Sequence, residues 1–256
     1  MFKIATWNVN SLKVRLPHVL QWLESESPDV LAIQETKTTD ENFPEEAIKE
    51  AGYHVSFVGQ KTYNGVTTIC KSPIETLATA LPDYDDAQKR VLAVKTQGVT
   101  VLNLYVPNGS EVDSDKYRYK LEWFSKLHPF IKQLQAKSEP VIILGDFNIA
   151  PDDRDVHAPD EWKGCNLVSQ PERDELNKIL ASGFNDCFRS FDQAEKSFSW
   201  WDYRAAGFRR DRGLRIDLIL ASDSLAKSCR ASYIDKEPRK LERPSDHTPV
   251  VAEFEL

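Results

Sequence analysis

Short apolar segments rich in β-branched residues recur along the whole chain and predict about ten strands. These segments are Phe2 to Val9, Val30 to Ile33, Tyr53 to Val58, Val66 to Cys70, Val91 to Thr96, Val99 to Val106, Val141 to Leu144, Phe198 to Trp201, Ile216 to Leu220 and Val250 to Phe254. The turn signal Gln97-Gly98 separates two of them and predicts a hairpin. We therefore expect antiparallel pairing within mixed sheets.

Segments with helical spacing alternate with these strands. A stripe of apolar residues from Leu12 to Leu23 predicts a helix, with Asn10 and Ser11 as candidate N-terminal caps. Three further helices are predicted, at residues 44–51, 114–135 and 171–182. Because no linker, low-complexity segment or internal repeat is visible, we expect an α/β fold in one domain, residues 1–256.

The composition fits a globular protein with a large core. Hydrophobic residues make up 41% of the chain and include 12 Phe, 8 Tyr and 6 Trp, which excludes disordered, collagen-like and coiled-coil classes. The apolar runs fall far short of the ~20 residues of a membrane helix. The four cysteines show no C-x-x-C spacing, and no export signal is visible, so we expect reduced thiols and a cytoplasmic location.

The charge distribution is more informative than the net charge of -7. An acidic balance argues weakly against a polyanionic partner. Residues 203–216, however, contain five arginines and one acid, a local charge of +4. The aromatic residues Trp200, Trp201 and Phe208 accompany these arginines, a combination that suits backbone contact and stacking with nucleic acid. A solvated surface loop is the alternative interpretation.

Polar residues at the ends of apolar segments are candidates for chemistry, since layered folds place their sites at strand ends. Four of them are Asn8, Glu35, Asp146 and Asn148. Asp217 instead lies inside an apolar segment, where a buried carboxylate needs a partner or a cation. His247, preceded by Asp246, offers such a partner. Each of these residues taken alone also has an ordinary structural explanation as a cap or turn former.

Other common chemistries lack their motifs in this sequence. G-x-S-x-G, Walker A, G-x-G-x-x-G, H-E-x-x-H and zinc-type cysteine pairs are all missing, which argues against acyl transfer, dinucleotide binding and zinc hydrolysis. Asp and Glu oxygens with few nitrogen or sulfur donors suit Mg²⁺ or Mn²⁺, the hard ions of phosphoryl chemistry.

Six motifs together resemble the exonuclease III family of AP endonucleases, within the endonuclease/exonuclease/phosphatase superfamily. They are Trp7-Asn8-Val9-Asn10-Ser11, Gln34-Glu35-Thr36-Lys37, the segment from Leu144 to Pro151, Trp201-Asp202-Tyr203-Arg204, the segment from Arg212 to Asp217, and Pro244-Ser245-Asp246-His247. The resemblance covers essentially the whole chain. It implies a four-layered α/β sandwich, in which two mixed β-sheets pack face to face with helices on the outside.

The resemblance also implies roles for individual residues. The implied catalytic residues are Tyr105, Asp146, Asn148, Asp217 and His247. Mg²⁺, with Mn²⁺ as a substitute, is implied near Glu35, Asn8, Asn10, Asp246, Asp146 and Asn148. Glu35 is the principal ligand in this scheme, and Asn10 stands where some relatives have Asp. Asp146 would activate or orient water, and whether His247 is a base or a phosphate ligand is open, as is the number of metal ions.

The implied DNA-binding residues fall into two groups. Phosphate contacts are expected from Lys37, Asn108, Arg204, Arg209, Arg210 and Arg212. Trp200, Phe208 and Leu218 are expected to wall a pocket for an extruded abasic sugar. The segment Gly109-Ser110-Glu111 departs from the family, because it lacks the basic residue that some relatives press into the duplex.

The implied activity is hydrolysis of the phosphodiester 5′ to abasic sites in duplex DNA, in base excision repair. 3′-5′ exonuclease and 3′-phosphatase or phosphodiesterase activities accompany it in open proportion. The expected partner is duplex DNA with abasic sites or blocked 3′ ends, acted on by a monomer of bacterial type at the nucleoid. Two alternatives stay open: a phosphatase or phosphodiesterase acting on inositol phosphates, lipids or RNA, and a catalytically silent DNA-binding or partner-binding protein.

Overall fold

A computed structural model describes residues 1–137 and 140–256, and within these ranges it contains fourteen strands and six α-helices. The strands are β1 Phe2–Asn8, β2 Val30–Gln34, β3 His54–Val58, β4 Val66–Cys70, β5 Glu75–Ala78, β6 Val91–Thr96, β7 Val99–Tyr105, β8 Val141–Asp146, β9 Phe184–Asp186, β10 Trp200–Trp201, β11 Gly213–Leu214, β12 Asp217–Ser222, β13 Cys229–Ile234 and β14 Val250–Phe254. The α-helices are α1 Leu12–Glu26, α2 Glu45–Glu50, α3 Asp115–Lys137, α4 Pro159–Trp162, α5 Gln170–Ala181 and α6 Asp223–Ala226.

Two six-stranded sheets form the centre of the molecule. The first has the order β13-β14-β1-β2-β4-β3 and the second the order β5-β6-β7-β8-β12-β9. β1 pairs with β2 in parallel, as β7 does with β8, whereas the other pairs in these sheets are antiparallel. The predicted hairpin is β6–β7, whose turn residues Gln97 and Gly98 both have positive φ. Mixed sheets are confirmed.

Three apolar clusters separate the four layers. Ile4 of the first sheet and Val101 of the second lie in one buried cluster between the sheets. Trp22 of α1 packs with the outer face of the first sheet, and Trp123 of α3 packs with the outer face of the second. The predicted four-layered sandwich with outer helices is therefore confirmed.

The predicted elements are present with ends shifted by a few residues. The caps of α1 were predicted incorrectly, and four strands were missed. Neither Asn10 nor Ser11 caps α1 through its side chain; instead the Leu12 N–H donates to the Thr36 carbonyl at 3.0 Å. The missed strands are β5, β9, β11 and β13. No helix in residues 1–137 and 140–256 is long and apolar enough to cross a membrane.

Candidate active site

Strand register brings the candidate acids to one end of the two sheets. In the second sheet Tyr105 of β7 pairs with Asp146 of β8, and Asp146 pairs with Asp217 of β12. These three residues therefore stand side by side on neighbouring strands. In the first sheet Asn8 ends β1, and Glu35 directly follows β2.

Asn8 connects the two sheets at this end. Its Nδ2 donates to Glu35 Oε1 at 2.8 Å and to Asp146 Oδ2 at 2.9 Å, while its Oδ1 accepts the Asn10 N–H at 2.9 Å. Because both amide hydrogens face carboxylates, Asn8 acts here as a donor that orients the acids. Ser245 Oγ fixes the backbone of Asn8 by donating to its carbonyl at 2.7 Å.

The site backbone includes several left-handed residues and one close approach. Glu35, Lys37 and Asn148 have φ values of 55, 53 and 49°. Such strained conformations persist where the surrounding structure holds them, and they cluster at functional sites. Gly145 has φ +142°, and a Cβ there would lie 1.9 Å from the Leu104 carbonyl oxygen, so only glycine fits before Asp146.

Glu35, Asp146 and His247 form a cluster with the spacing of a metal site, since one potential ligand atom from each lies within 4.8 Å of the others. Burial raises the pKa of Asp146 to about 7. The carboxylate pair suits a hard divalent cation, which would favour the ionised form of Asp146. Lys37 Nζ lies 2.8 Å from Glu35 Oε2 and supplies the nearest fixed positive charge to that acid.

His247 is the partner that the buried Asp217 needs. The His247 Nδ1 lies 2.8 Å from Asp217 Oδ2, and Ser199 Oγ donates to the same oxygen at 2.6 Å. Burial alone would lower the pKa of His247, but the carboxylates of Asp217 and Asp146 raise it to about 10. The imidazole is therefore positively charged at neutral pH, with Nε2 3.7 Å from Asp146 Oδ2.

Asp246 adjoins the cluster through Asn10. Asn10 Nδ2 donates to Asp246 Oδ1 at 3.0 Å, and Trp200 Nε1 donates to Asp246 Oδ2 at 3.1 Å. Burial opposes ionisation, but His247 and these two donors hold the pKa of Asp246 below its usual value. The Asn10 Oδ1 meanwhile accepts from Lys37 Nζ at 2.5 Å.

Amide and phenol groups line the other side of Asp146. The Asn148 N–H donates to Asp146 Oδ1 at 2.9 Å, and Asn108 Nδ2 donates to Asn148 Oδ1 at 3.0 Å. Burial, together with the Glu35 and Asp146 carboxylates, raises the pKa of Tyr105 well above its usual value, so its hydroxyl keeps its proton. The structure thus brings all the predicted catalytic and metal residues into one region.

The predicted DNA-binding residues are divided between surface and core. The exposed arginines of the basic segment are Arg204, Arg209, Arg210 and Arg212. Trp200 is half-buried beside Asp246, and Phe208 packs edge-on against Trp201 with ring centroids 5.0 Å apart. Leu218 was predicted incorrectly as a pocket wall, because it is fully buried in the core beneath α3 and has no surface for DNA.

Arg215 also differs from its neighbours in the basic segment. Its side chain is fully buried, and it pairs with Asp155 at 2.6 Å and with Asp186 at 2.8 Å. The exposed part of residues 203–216 therefore carries one positive charge fewer than the sequence indicates. Ser199 and Ser245, which fix Asp217 and Asn8, were given no role from the sequence, although Ser245 lies within one of the six motifs.

Comparison with known proteins identifies the family of this chain. Residues 5–247 match the Endonuclease/Exonuclease/phosphatase family, and the chain belongs to that family. Exodeoxyribonuclease III of Haemophilus influenzae is 38% identical over 98% of this chain and 99% of its own. The structure of the 3′ phosphatase NExo from Neisseria bound to a product DNA hairpin is 42% identical, with a TM-score of 0.96 and full coverage of both chains. An AP endonuclease from Archaeoglobus fulgidus is 39% identical, with a TM-score of 0.95 and full coverage of both chains.

Proposed function

We propose that the protein is a metal-dependent DNA-repair nuclease that hydrolyses the phosphodiester 5′ to abasic sites. 3′-5′ exonuclease and 3′-phosphatase activities accompany this cleavage in the proposal, since solved structures described as a 3′-5′ exonuclease, a 3′ phosphatase and an AP endonuclease are all similar to this chain over its full length. The observation that carries the proposal is the convergence of Glu35, Asp146 and His247 within 4.8 Å at one end of the two sheets.

Glu35 and Asp146 are the residues that would hold Mg²⁺, with Mn²⁺ as a substitute. Two carboxylates fit either ion, whereas His247 is protonated and therefore presents a hydrogen-bond donor instead of a ligand lone pair. The bound cation would supply charge stabilisation at the non-bridging phosphate oxygens. In this scheme Asn8 orients both carboxylates, and the hydrogen-bonded pair of Asn10 and Asp246 lies next to the cation site.

The chain's own groups supply the orientation of the attacking water and further contacts to the phosphate. Asp146 is held by the Asn148 N–H through Oδ1 and by Asn8 through Oδ2, so it can orient a water for attack. The bound cation would favour the ionised form of Asp146, so its carboxylate would accept a hydrogen bond from that water. The imidazolium of His247, fixed by Asp217, would contact the phosphate opposite the Tyr105 hydroxyl and the Asn108 amide.

Duplex DNA is the proposed partner, contacted by Lys37 and by the exposed arginines. Trp200, through its bond to Asp246, connects the aromatic and basic segment directly to the site. Phe208 lies on the same segment and remains a proposed wall of the sugar pocket. We propose that the chain acts as a single-domain monomer in the cytoplasm, at the nucleoid.

The test compares three duplex oligonucleotides: one with a central abasic analogue, one with a recessed 3′ end and one with a 3′-phosphate. Each is incubated with Mg²⁺ or with EDTA. We expect metal-dependent incision 5′ to the abasic site, lost in Glu35→Ala and retained in Glu122→Ala, which removes an exposed carboxylate on α3. Cleavage of a generic phosphodiester but of none of the DNAs would favour the phosphatase alternative. Inactivity on every substrate would favour a binding protein.

A further inference from the structure

Lys120 is a fully buried lysine that the chemistry above does not use. It lies on α3, and its side chain has no exposed surface. Its Nζ donates to the Asn108 carbonyl at 3.2 Å, to the Asn148 carbonyl at 2.7 Å and to the Glu172 carboxylate. An ammonium group has three N–H donors, so these three acceptors use all of them. The charge is buried but completely hydrogen-bonded.

Glu172 anchors this lysine to a second rigid element. It is the third residue of α5, it is fully buried, and it accepts the Leu167 N–H at 3.1 Å and the Ser169 N–H at 3.2 Å. Tyr117 of α3 adds a further link, because its hydroxyl lies 2.6 Å from Ser169 Oγ. The ammonium group of Lys120 is thus held by α3 and α5 together.

The two carbonyls that Lys120 holds belong to active-site residues outside the sheet ladders. Asn108 follows β7 and Asn148 follows β8, and their side chains are joined by a hydrogen bond of 3.0 Å. Asn148 has a left-handed φ of 49°, and its N–H donates to Asp146. A shift of either carbonyl would therefore displace both amides relative to Asp146.

We propose that Lys120 is a positioning residue of the nuclease site. It holds the carbonyls of Asn108 and Asn148, and through them it sets their side-chain amides against the scissile phosphate. The proposal rests on the proposed function. A misplacement of about 1 Å at such a site costs on the order of 100-fold in rate.

The experiment replaces the buried pair by the neutral pair Lys120→Met with Glu172→Gln, so that no unpaired charge remains. We expect kcat on the abasic duplex to fall about 10–100-fold, with KM changed much less. In a background that carries both Asn108→Ala and Asn148→Ala, the same pair should lower kcat by less than about 3-fold, since both side-chain amides that it positions are gone. The matched control is Leu134→Ala, which creates a cavity in the core on the same helix, about 21 Å from Lys120 along the helix axis. Its effect on kcat should be the same in both backgrounds.

Several outcomes overturn the proposal. Additive losses in the two backgrounds would show a general structural role. If the double variant does not fold, Lys120→Arg keeps the charge but cannot place its planar donors on all three acceptors; it should show the same loss and the same coupling, and their absence refutes the role.

A second readout separates this proposal from the proposed function. In metal-free protein without DNA, the side-chain amide NMR signals of Asn108 and Asn148 should shift in the Lys120→Met, Glu172→Gln variant and stay unchanged in Leu134→Ala. Unmoved signals would refute the positioning role. A wild-type protein that cuts no DNA would instead refute the proposed function and leave this test intact.

Discussion

His247 is the residue whose charge depends most on its neighbours. It is nearly fully buried, yet its pKa is raised to about 10 because the carboxylates of Asp217 and Asp146 outweigh the effect of burial. A group whose pKa is raised on folding contributes stability below its unfolded pKa, and that contribution is lost as the pH rises through the folded value. For His247 the contribution is therefore complete below about pH 6.5 and disappears towards pH 10.

We predict that His247→Gln lowers the stability of the metal-free protein at pH 6 more than at pH 10. The measurement is urea unfolding in EDTA at both pH values, with Asp217→Asn as a second variant. Imidazole NMR in the wild type should show a protonated ring throughout pH 6 to 8. A ring that loses its proton within that range, or an equal effect of His247→Gln at both pH values, would contradict the assignment.

At the residue scale the sequence predicts that Asp217 needs a partner such as His247, but it does not predict that Arg215 is buried. The apolar sequence around Asp217 is enough to predict that this carboxylate needs a partner, and His247 is that partner. Successive residues of a strand point to opposite faces, so a site role for Asp217 places Leu218 on the other face, in the core. Arg215 cannot be separated from Arg212 by composition, because its buried partners, Asp155 and Asp186, are distant in sequence.

At the scale of elements, long apolar strands are predictable and short ones are not. β9 and β11 have three and two residues, too few to show a period, and β5 lies largely exposed at the edge of its sheet. These strands are held by pairing with distant segments. The strands that carry the site, β1, β2, β7, β8 and β12, are interior strands of the two sheets and were predicted, whereas the edge strands β5, β9 and β13 were not.

We predict that Gly145→Ala disrupts the pairing of β7 with β8. The added Cβ meets the Leu104 carbonyl, so we expect a loss of about 3–5 kcal/mol in the free energy of unfolding. Gly98→Ala is the matched control, because Gly98 also has positive φ but has open space around it; it should cost only about 1 kcal/mol. Denaturant unfolding of both variants gives the comparison, and equal costs would show that the close approach is unimportant.

At the scale of the whole molecule, charge is unevenly distributed. The net charge of -7 opposes DNA binding, yet the exposed arginines of the basic segment follow Trp200 in sequence, and Trp200 donates to Asp246 of the site. Each phosphate contact made by such a residue releases counterions, so binding weakens with salt in proportion to the number of contacts. The net charge alone does not predict DNA as the partner, whereas the local charge of the basic segment and the geometry of the site together do.

We predict that the triple variant Arg209→Ala, Arg210→Ala, Arg212→Ala flattens the salt dependence of DNA binding. The slope of log K against log salt should fall by up to about 2.7, at about 0.9 per contact. Fluorescence anisotropy with an abasic duplex in Ca²⁺ measures it.

The matched control removes three exposed lysines of the outer helices, Lys132, Lys137 and Lys178. It changes the net charge by the same amount and should keep the slope. Equal slopes in the two triple variants would show that only the overall charge matters.

The pairing of β1 with β14 joins segments that are made far apart in time. The Trp7 indole, for example, donates to the carbonyl of His247, 240 positions later. At the usual rate of translation these partners are made roughly 10–50 s apart. Asn8, Glu35 and Asp146 all leave the ribosome before His247 exists. A nascent chain therefore carries these acidic residues without the imidazolium, and the proposed nuclease gains its complete charge set only after His247 has been made.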